Sequence, residues 1–300
     1  MQMFDPGLAR PREGHGSQST RGERLTDSKQ TVTFTLNNGV RIPAVGLGVF
    51  QSSPGLMTLN AVTFALEVGY RHIDTAALYR NERDVGIAIR TSGIPRDQLF
   101  VTTKLWNSDH GYDQALRAFD ASLSRLGLDY IDLFLIHWPV PEKRLETWTA
   151  LERLYHEGRV RAIGVSNFTV GHLNELLDRC RVVPAVNQIE FSPFLYQEDV
   201  LEFCQSHGIL VEGYSPLTKG QRLHDPDIVS IAMKYGRTPA QVLIRWCFQH
   251  GVVPLPKSVH PLRIESNLKI FDFELAEEDM VRLDSLNEEM HLSWDSTGVA

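Results

Sequence analysis

Between residues 44 and 256 the chain alternates short apolar or β-branched runs with longer stretches of helical periodicity, and the alternation repeats eight times. Runs that read as strands lie near 44–49, 71–74, 100–104, 130–137, 162–166, 185–190, 210–214 and 252–256. Helices are predicted between them, among others over 58–68, 112–126, 145–156, 170–178 and 239–249. In the second of these, Leu116, Phe119, Leu123 and Leu126 recur at spacings of three and four, which lines up one apolar helix face. Strict alternation of strand and helix implies a parallel sheet with right-handed crossovers. Eight such units favour an α/β chain closed into a (β/α)8 TIM barrel. An open doubly wound sheet would carry a glycine-rich loop between its first strand and first helix. The nearest candidate, Gly46-Leu47-Gly48-Val49-Phe50, lacks the third glycine and runs into no helix. Ahead of the repeats, residues 31–36 alternate with period two and lead into Asn37-Asn38-Gly39, a hairpin turn signal. This N-terminal β-hairpin is expected to plug the barrel bottom.

A chain of 300 residues suits one such barrel or two average domains. Its formal net charge of −7 offers no basic surface for nucleic acid, and no run of about 18 apolar residues is present to cross a membrane. The three cysteines, Cys180, Cys204 and Cys247, are odd in number and scattered through helical patterns, so neither a disulfide framework nor a zinc cage is expected. A reducing, cytoplasmic compartment fits. Residues 1–30 are rich in Gly, Ser, Arg and Glu and have no apolar core for a secretory signal. Arg10, Arg12, Arg21 and Arg24 faintly suggest a transit peptide, and Asp5, Glu13, Glu23 and Asp27 argue against one. A disordered extension over 1–30, followed by the barrel and a C-terminal tail over 31–300, is the expected division.

Chemistry in such a barrel sits at the carboxyl ends of its strands. Asp74, Lys104 and His137 each close a predicted strand, and Tyr79 follows Asp74 by five residues in the next loop. Taken singly, each has an ordinary explanation: a helix cap, a solvated charge, a hydrogen-bonded imidazole, a loop aromatic. Their coincidence at one end of consecutive strands is what those explanations do not require. A phenol with its ordinary pKa of about 10 is a reluctant acid, and a nearby ammonium makes its proton easier to give. Lys104 can supply that charge, Asp74 can hold Lys104 by an ion pair, and His137 can orient a carbonyl oxygen. The four together could protonate an oxygen that becomes negative as a carbonyl is attacked.

The second half of the chain offers a partner for that acid. Gly164-Val165-Ser166-Asn167 and Asn187-Gln188-Ile189-Glu190 end two strands with hydroxyl and amide groups able to grip a nicotinamide carboxamide. Gly213-Tyr214-Ser215-Pro216-Leu217 supplies an aromatic face for the ring. The last strand runs into Pro256-Lys257-Ser258-Val259, then Pro261 at a helix start and Arg263. A helix N-terminus flanked by Lys, Ser and Arg is an anion site, and two cations suit the 2′-phosphate of NADP.

The chain resembles the aldo-keto reductase family over residues 31–290. The motifs that carry the resemblance, in order, are Gly69-Tyr70-Arg71-His72-Ile73-Asp74-Thr75-Ala76, Tyr79, Lys104, Ile136-His137-Trp138-Pro139, Gly164-Val165-Ser166-Asn167-Phe168 and Pro256-Lys257-Ser258. The resemblance implies reversible reduction of aldehydes and ketones by NADPH, bound without a Rossmann domain. It implies Asp74, Tyr79, Lys104 and His137 as a catalytic tetrad with Tyr79 as general acid. It also implies cofactor contacts from Gly48, Val49, Ser166, Asn167, Gln188, Tyr214, Ser215, Leu217, Lys257, Ser258, Val259, Arg263 and Asn267. Ser266 stands where members often carry an acid, with Glu265 one residue earlier. His137, where steroid double-bond reductases resemble this pattern with Glu, favours carbonyl reduction.

Phe50, Trp106 and Trp138 follow three strands and are expected to line the mouth with His137 as a substrate wall. The loops at 138–144 and 217–225 are short, and the tail over 288–300, with Trp294, is expected to fold over the opening. A shallow site of this kind suits small or medium aldehydes, dicarbonyls and keto sugars, as in the short-loop microbial branch of diketogluconate reductases and prostaglandin F synthases. A monomer without metal is expected. Two other readings stand beside this one: a non-catalytic NADPH-binding sensor, and a metal-dependent barrel hydrolase prompted by His72, Asp74 and His137, whose cation Lys104 would repel.

Overall fold

The computed structural model describes residues 31–295 and Gly298. The expectation for residues 1–30 lies outside the described residues.

Strands β1 (Thr33–Thr35) and β2 (Arg41–Pro43) pair antiparallel. Their turn closes through Leu36 N–H to Val40 O at 2.8 Å and Gly39 N–H to Leu36 O at 2.9 Å, with Gly39 at φ +84°. A left-handed residue is what this turn needs, and glycine adopts that conformation without steric cost. Leu36 and Ile42 share one buried cluster with Phe100, Ala185 and Val186, at the amino ends of barrel strands, and with Leu133, Leu135 and Ala162 further along theirs. Asn37 Nδ2 and Asn38 Nδ2 donate to the carbonyls of Pro184 and Arg161 at 3.0 and 2.9 Å. The hairpin therefore plugs the end of the barrel opposite the candidate site.

The barrel strands are β3 (Leu47–Gly48), β4 (His72–Asp74), β5 (Phe100–Leu105), β6 (Ile131–Ile136), β7 (Val160–Ser166), β8 (Val186–Glu190), β9 (Leu210–Tyr214) and β10 (Val253–Leu255). They form one eight-stranded parallel sheet in sequential order. The sheet closes on itself where Gly46 N–H and Gly48 N–H donate to Pro254 O and Pro256 O at 3.1 and 3.2 Å. The strand expected at 44–49 shrinks to two ladder residues because its first half pairs elsewhere: Ala44 N–H donates to Val32 O in the hairpin at 2.9 Å.

Helices α1 (Leu56–Val68), α2 (Glu82–Thr91), α3 (Tyr112–Leu126), α4 (Arg144–His156), α5 (Val170–Leu177) and α6 (Glu198–Ser206) fill the first six crossovers. The next holds two helices, α7 (Pro226–Tyr235) and α8 (Pro239–Gln249), and α9 (Pro261–Leu268) and α10 (Glu277–Asp284) follow β10. Helix starts follow local chemistry. Asp225 accepts from Asp227 N–H ahead of Pro226, and Thr238 with Gln241 forms a capping box ahead of Pro239. On α3, Phe119 is fully buried and meets Phe134 of β6 edge to face at 5.2 Å. Burying a side chain of this size stabilises by roughly 1.5–3 kcal/mol. Gly86 lets α2 approach α3: a Cβ there would lie 1.9 Å from Leu126 O, so no larger residue fits.

Candidate active site

Asp74 ends β4, Lys104 is the penultimate residue of β5, and His137 follows β6 directly. Tyr79 ends a single 3-10 turn, Ala77–Tyr79, that rises from the loop after β4. Asn81 holds this turn from behind. Its Nδ2 donates to Val49 O and Ser52 O at 3.0 and 3.2 Å, and its Oδ1 accepts from Thr75 Oγ1 at 2.8 Å. The loops that carry Phe50 and Tyr79 are thus tied together, and their rings meet at 5.0 Å.

The strand ends bring all four polar side chains to one place. Lys104 is fully buried, and its Nζ lies 2.6 and 2.7 Å from the two Asp74 carboxylate oxygens, 3.0 Å from Thr75 O and 3.4 Å from Tyr79 Oη. The His137 ring stands edge to face with Tyr79 at 5.7 Å and with Trp106 at 5.3 Å. Burial, and then the Lys104 charge, holds the imidazole well below its ordinary range, so it is neutral. Among the described residues its buried Nδ1 has no partner.

One sequence expectation is reversed. The ammonium was expected to ease proton release from Tyr79, yet burial, followed by the Asp74 charge, pushes the phenol well above its ordinary value. Asp74 grips Lys104 at contact distance while the phenol stands farther off, so the ion pair presents little net positive charge to it. The phenol stays protonated at neutral pH and can yield its proton only to an oxygen that is becoming strongly basic.

The groups expected to grip a carboxamide form one hydrogen-bonded set. Ser166 Oγ donates to Gln188 O at 2.8 Å, and Asn167 Nδ2 donates to His137 O at 2.9 Å and Ser166 Oγ at 3.1 Å. Tyr214 Oη donates to Asn167 Oδ1 at 2.8 Å, which fixes the plane of its ring. Gln188 Nε2 turns into the barrel and donates to Asp74 Oδ2 at 2.9 Å and Glu212 Oε2 at 2.7 Å. With both amide hydrogens engaged, its carbonyl oxygen is the group left to meet a ligand. Glu212, fully buried on β9, is absent from the sequence expectations. Its signal was the period of two: a residue two before Tyr214 points to the same side of the strand.

Gly48 and Val49 stitch the barrel, since Gly48 N–H donates to Pro256 O and Val49 N–H to Asp74 O at 3.1 Å. Ser215 sits at φ +52° just past β9, and Leu217 follows it, half-buried. Lys257 and Arg263 are exposed beside the N-terminus of α9, with Ser258 and Asn267 buried beneath and Val259 between. No described side chain pairs with Lys257 or Arg263. Two uncommitted cations at a helix N-terminus fit a phosphate monoester, and the polar set under Tyr214 fits a nicotinamide amide, so the residues present suit a dinucleotide. Among the described residues no group of three or more His, Cys, Asp or Glu is arranged to hold a metal ion. Likewise no described helix is long and apolar enough to cross a membrane.

Phe50 lies against Tyr79 and Trp106 against His137, and Trp294 from the tail meets Trp106 at 6.3 Å and Trp138 at 5.6 Å. The tail is strapped down. Glu190 accepts Leu292 N–H at 3.0 Å and Ser293 N–H at 3.1 Å, and Lys219 Nζ donates to Leu292 O at 2.7 Å.

A sequence model described as the Aldo/keto reductase family matches residues 51–288. The chain is 51% identical over 264 residues to a 9,11-endoperoxide prostaglandin H2 reductase of Trypanosoma cruzi, covering 87% of this chain and 93% of that one. It is 51% identical over 257 residues to a glyoxal reductase of Bacillus subtilis, covering 86% and 93%. Among solved structures it is similar to an aldo-keto reductase from a Medee basin deep-sea metagenome library (TM-score 0.87, 45% identity, 89% of this chain and 99% of that one). It is also similar to a Bombyx mori aldo-keto reductase in complex with NADP (TM-score 0.82, 39% identity, 87% and 94%).

Proposed function

The chain belongs to the aldo/keto reductase family and is an NADP-dependent oxidoreductase that reduces carbonyl groups to alcohols; from that premise we propose that Tyr79 is its general acid and that Asp74, Lys104 and His137 serve it. When bound, NADPH supplies the hydride. Tyr79 gives its proton to the carbonyl oxygen as that oxygen turns negative, and the phenolate it leaves is met by Lys104 Nζ, 3.4 Å away. Asp74 keeps Lys104 charged and aimed. His137, neutral, orients the same oxygen through an imidazole N–H and does not compete for its proton. Ser166, Asn167 and Gln188 hold the carboxamide, Gln188 through its oxygen, and Tyr214 carries the ring. Ser215, Leu217, Gly48 and Val49 border the cofactor channel, while Lys257, Ser258, Val259, Arg263 and Asn267 take the adenosine phosphate. The observation that carries this reading is the buried Asp74–Lys104 pair set under Tyr79 Oη. A Tyr79→Phe protein that still oxidises NADPH with a carbonyl at the native rate would overturn it.

For substrate we propose small or medium aldehydes, dicarbonyls and keto sugars. Trp106 and Trp138, with Trp294 against both, and Phe50 against Tyr79 supply an apolar aromatic wall beside the acid. The similar Bacillus subtilis protein is named a glyoxal reductase, which supports the dicarbonyl class. A panel of carbonyls assayed by NADPH consumption tests this; turnover confined to bulky ketones would reject it. We further propose a cytoplasmic monomer with no nucleic-acid partner, the last supported by the net charge of −7.

A further inference from the structure

Beneath the Asp74–Lys104 pair lies a second polar layer in which Glu212 and His72 have no part in the reaction as derived. Asp74 Oδ2 accepts from Gln188 Nε2, and the same nitrogen donates to Glu212 Oε2. Glu212 Oε1 lies 3.7 Å from His72 Nε2, which in turn meets Thr102 Oγ1 at 3.0 Å. The order Tyr79, Lys104, Asp74, Gln188, Glu212, His72 therefore runs from the mouth into the barrel interior. All but Tyr79 are buried. Glu212 Oε1 and His72 Nδ1 lack hydrogen-bond partners among the described residues, which is costly for an ionised carboxylate and far less so for a neutral acid.

We propose that Glu212 is a positioning residue for carbonyl reduction: it fixes which way the Gln188 amide faces and sets how much negative charge stands behind Asp74 and Lys104. The proposal rests on Tyr79 being the acid. The amide orientation follows from chemistry, since Asp74 and Glu212 Oε2 both act as acceptors and only the Gln188 nitrogen can satisfy them. If Glu212 were removed, one amide hydrogen would lose its acceptor and the amide could turn, presenting a nitrogen where an oxygen should meet the carboxamide.

Burial, and after it the Asp74 charge, pushes the Glu212 carboxyl up to about 8, against the opposing pull of Gln188 and Lys104. The ionisable groups that face it are Asp74 on β4, Lys104 on β5 and His72 on β4, whose imidazole burial and Lys104 lower to about 3. On the flanking strands β8 and β10, Gln188 and Val253 stand in register with Glu212, and Glu190, further along β8, is engaged with the tail. At neutral pH Glu212 is thus mostly a neutral acid. When it ionises, a second carboxylate faces Asp74, phenolate formation at Tyr79 becomes harder, and the phenol becomes a weaker acid.

The test is the pH profile of carbonyl reduction by the wild type and by Glu212→Gln, which keeps the shape and an acceptor for Gln188. In the wild type kcat should fall as pH rises through about 8, and in the variant that fall should vanish or move to higher pH. Difference infrared spectra supply a readout independent of turnover. A protonated carboxylic acid band, present at neutral pH, lost on alkalinisation and missing from Glu212→Gln, should belong to Glu212. Superimposable pH profiles for the two proteins, or no such band in the wild type, would overturn the proposal. A wild type that reduces no carbonyl would sink the tyrosine reading instead and leave the infrared band to decide on Glu212; if Glu212→Gln fails to fold, Glu212→Asp replaces it, and a protonated-acid band that this change leaves unshifted would overturn the proposal.

Discussion

Lys104 Nζ sits 2.6 Å and 2.7 Å from the two carboxylate oxygens of Asp74, a paired contact in which the ammonium is fully buried. Neither charge has water to fall back on. Replacing Asp74 by Asn leaves the ammonium uncompensated, and breaking a buried pair from one side costs about 3–5 kcal/mol. Denaturant unfolding of Asp74→Asn should show a loss of that order, with the double variant Asp74→Asn/Lys104→Met recovering part of it. Equal stability of wild type and single variant would mean that the pair is not what holds this end of the barrel.

Tyr79→Phe removes only a hydroxyl and leaves the ring against Phe50 and His137. Thermal stability and NADPH binding should stay near native, while kcat for carbonyl reduction drops by about 10²–10⁴, the range general acids supply. Stopped-flow measurement of NADPH oxidation separates the two: an equal loss of binding and turnover would assign the hydroxyl a structural role.

The barrel was legible because its signals are periodic. Helices over Tyr112–Leu126 and Pro239–Gln249 match the expected bounds, since apolar spacing and a Thr-Pro start are local features. Asp74, Lys104 and His137 were readable because strand ends are where a parallel barrel exposes side chains. What escaped depends on contacts across the fold. The strand at 44–49 was overextended because its partner changes midway, whereas the loop expected over 217–225 does end at the Asp225-Pro226 start of α7 (Pro226–Tyr235), a local signal. Asn81 works through backbone carbonyls about thirty residues away, which no local pattern records. The direction of the Tyr79 shift was misjudged because a sequence shows that a lysine and an aspartate stand near the phenol but not how much the fold removes the phenol from water, which raises it most, nor that the Asp74 charge raises it further.

Arg263 stands exposed in the first turn of α9 with no described partner. As a ligand to the 2′-phosphate it should contribute about 1.5–3 kcal/mol, the value of a hydrogen bond to a charged group. Arg263→Ala should therefore raise KM for NADPH by one to two orders of magnitude and leave NADH nearly unchanged. Parallel losses for both cofactors would place the arginine elsewhere in recognition.

Trp294 is 67% exposed yet meets Trp106 and Trp138, so its ring forms an outer wall of the mouth. Trp294→Ala should raise KM several-fold for aromatic aldehydes and less for glyoxal-sized dicarbonyls, which reach Tyr79 without touching the tail. A uniform effect on kcat across the panel would instead mark the tail as an element that orders the whole site.

His72, His110 and His137 are buried in the neutral form, and the sign of their shifts decides the acid limb of stability. His72 is lowered to about 3 and His110 to about 4, both chiefly by burial, and His137 lies well below its ordinary 6.5 for the same reason. Between these values and 6.5 the unfolded chain takes up protons that the folded protein refuses. The stability these groups contribute is thus present above pH 6.5 and is lost as pH falls. Each steepens toward about 1.4 kcal/mol per pH unit. Glu212, raised to about 8 from 4.5, works in the opposite sense: its contribution is present below 4.5 and is lost as pH rises through 8. Between pH 6.5 and 4.5 the three histidines outweigh the one carboxyl, so the unfolding free energy should decline with acidification before the surface carboxylates titrate. His72→Asn should flatten that decline, and urea unfolding at half-unit pH steps measures it. A slope indifferent to the substitution would show that His72 accepts a proton in the folded barrel.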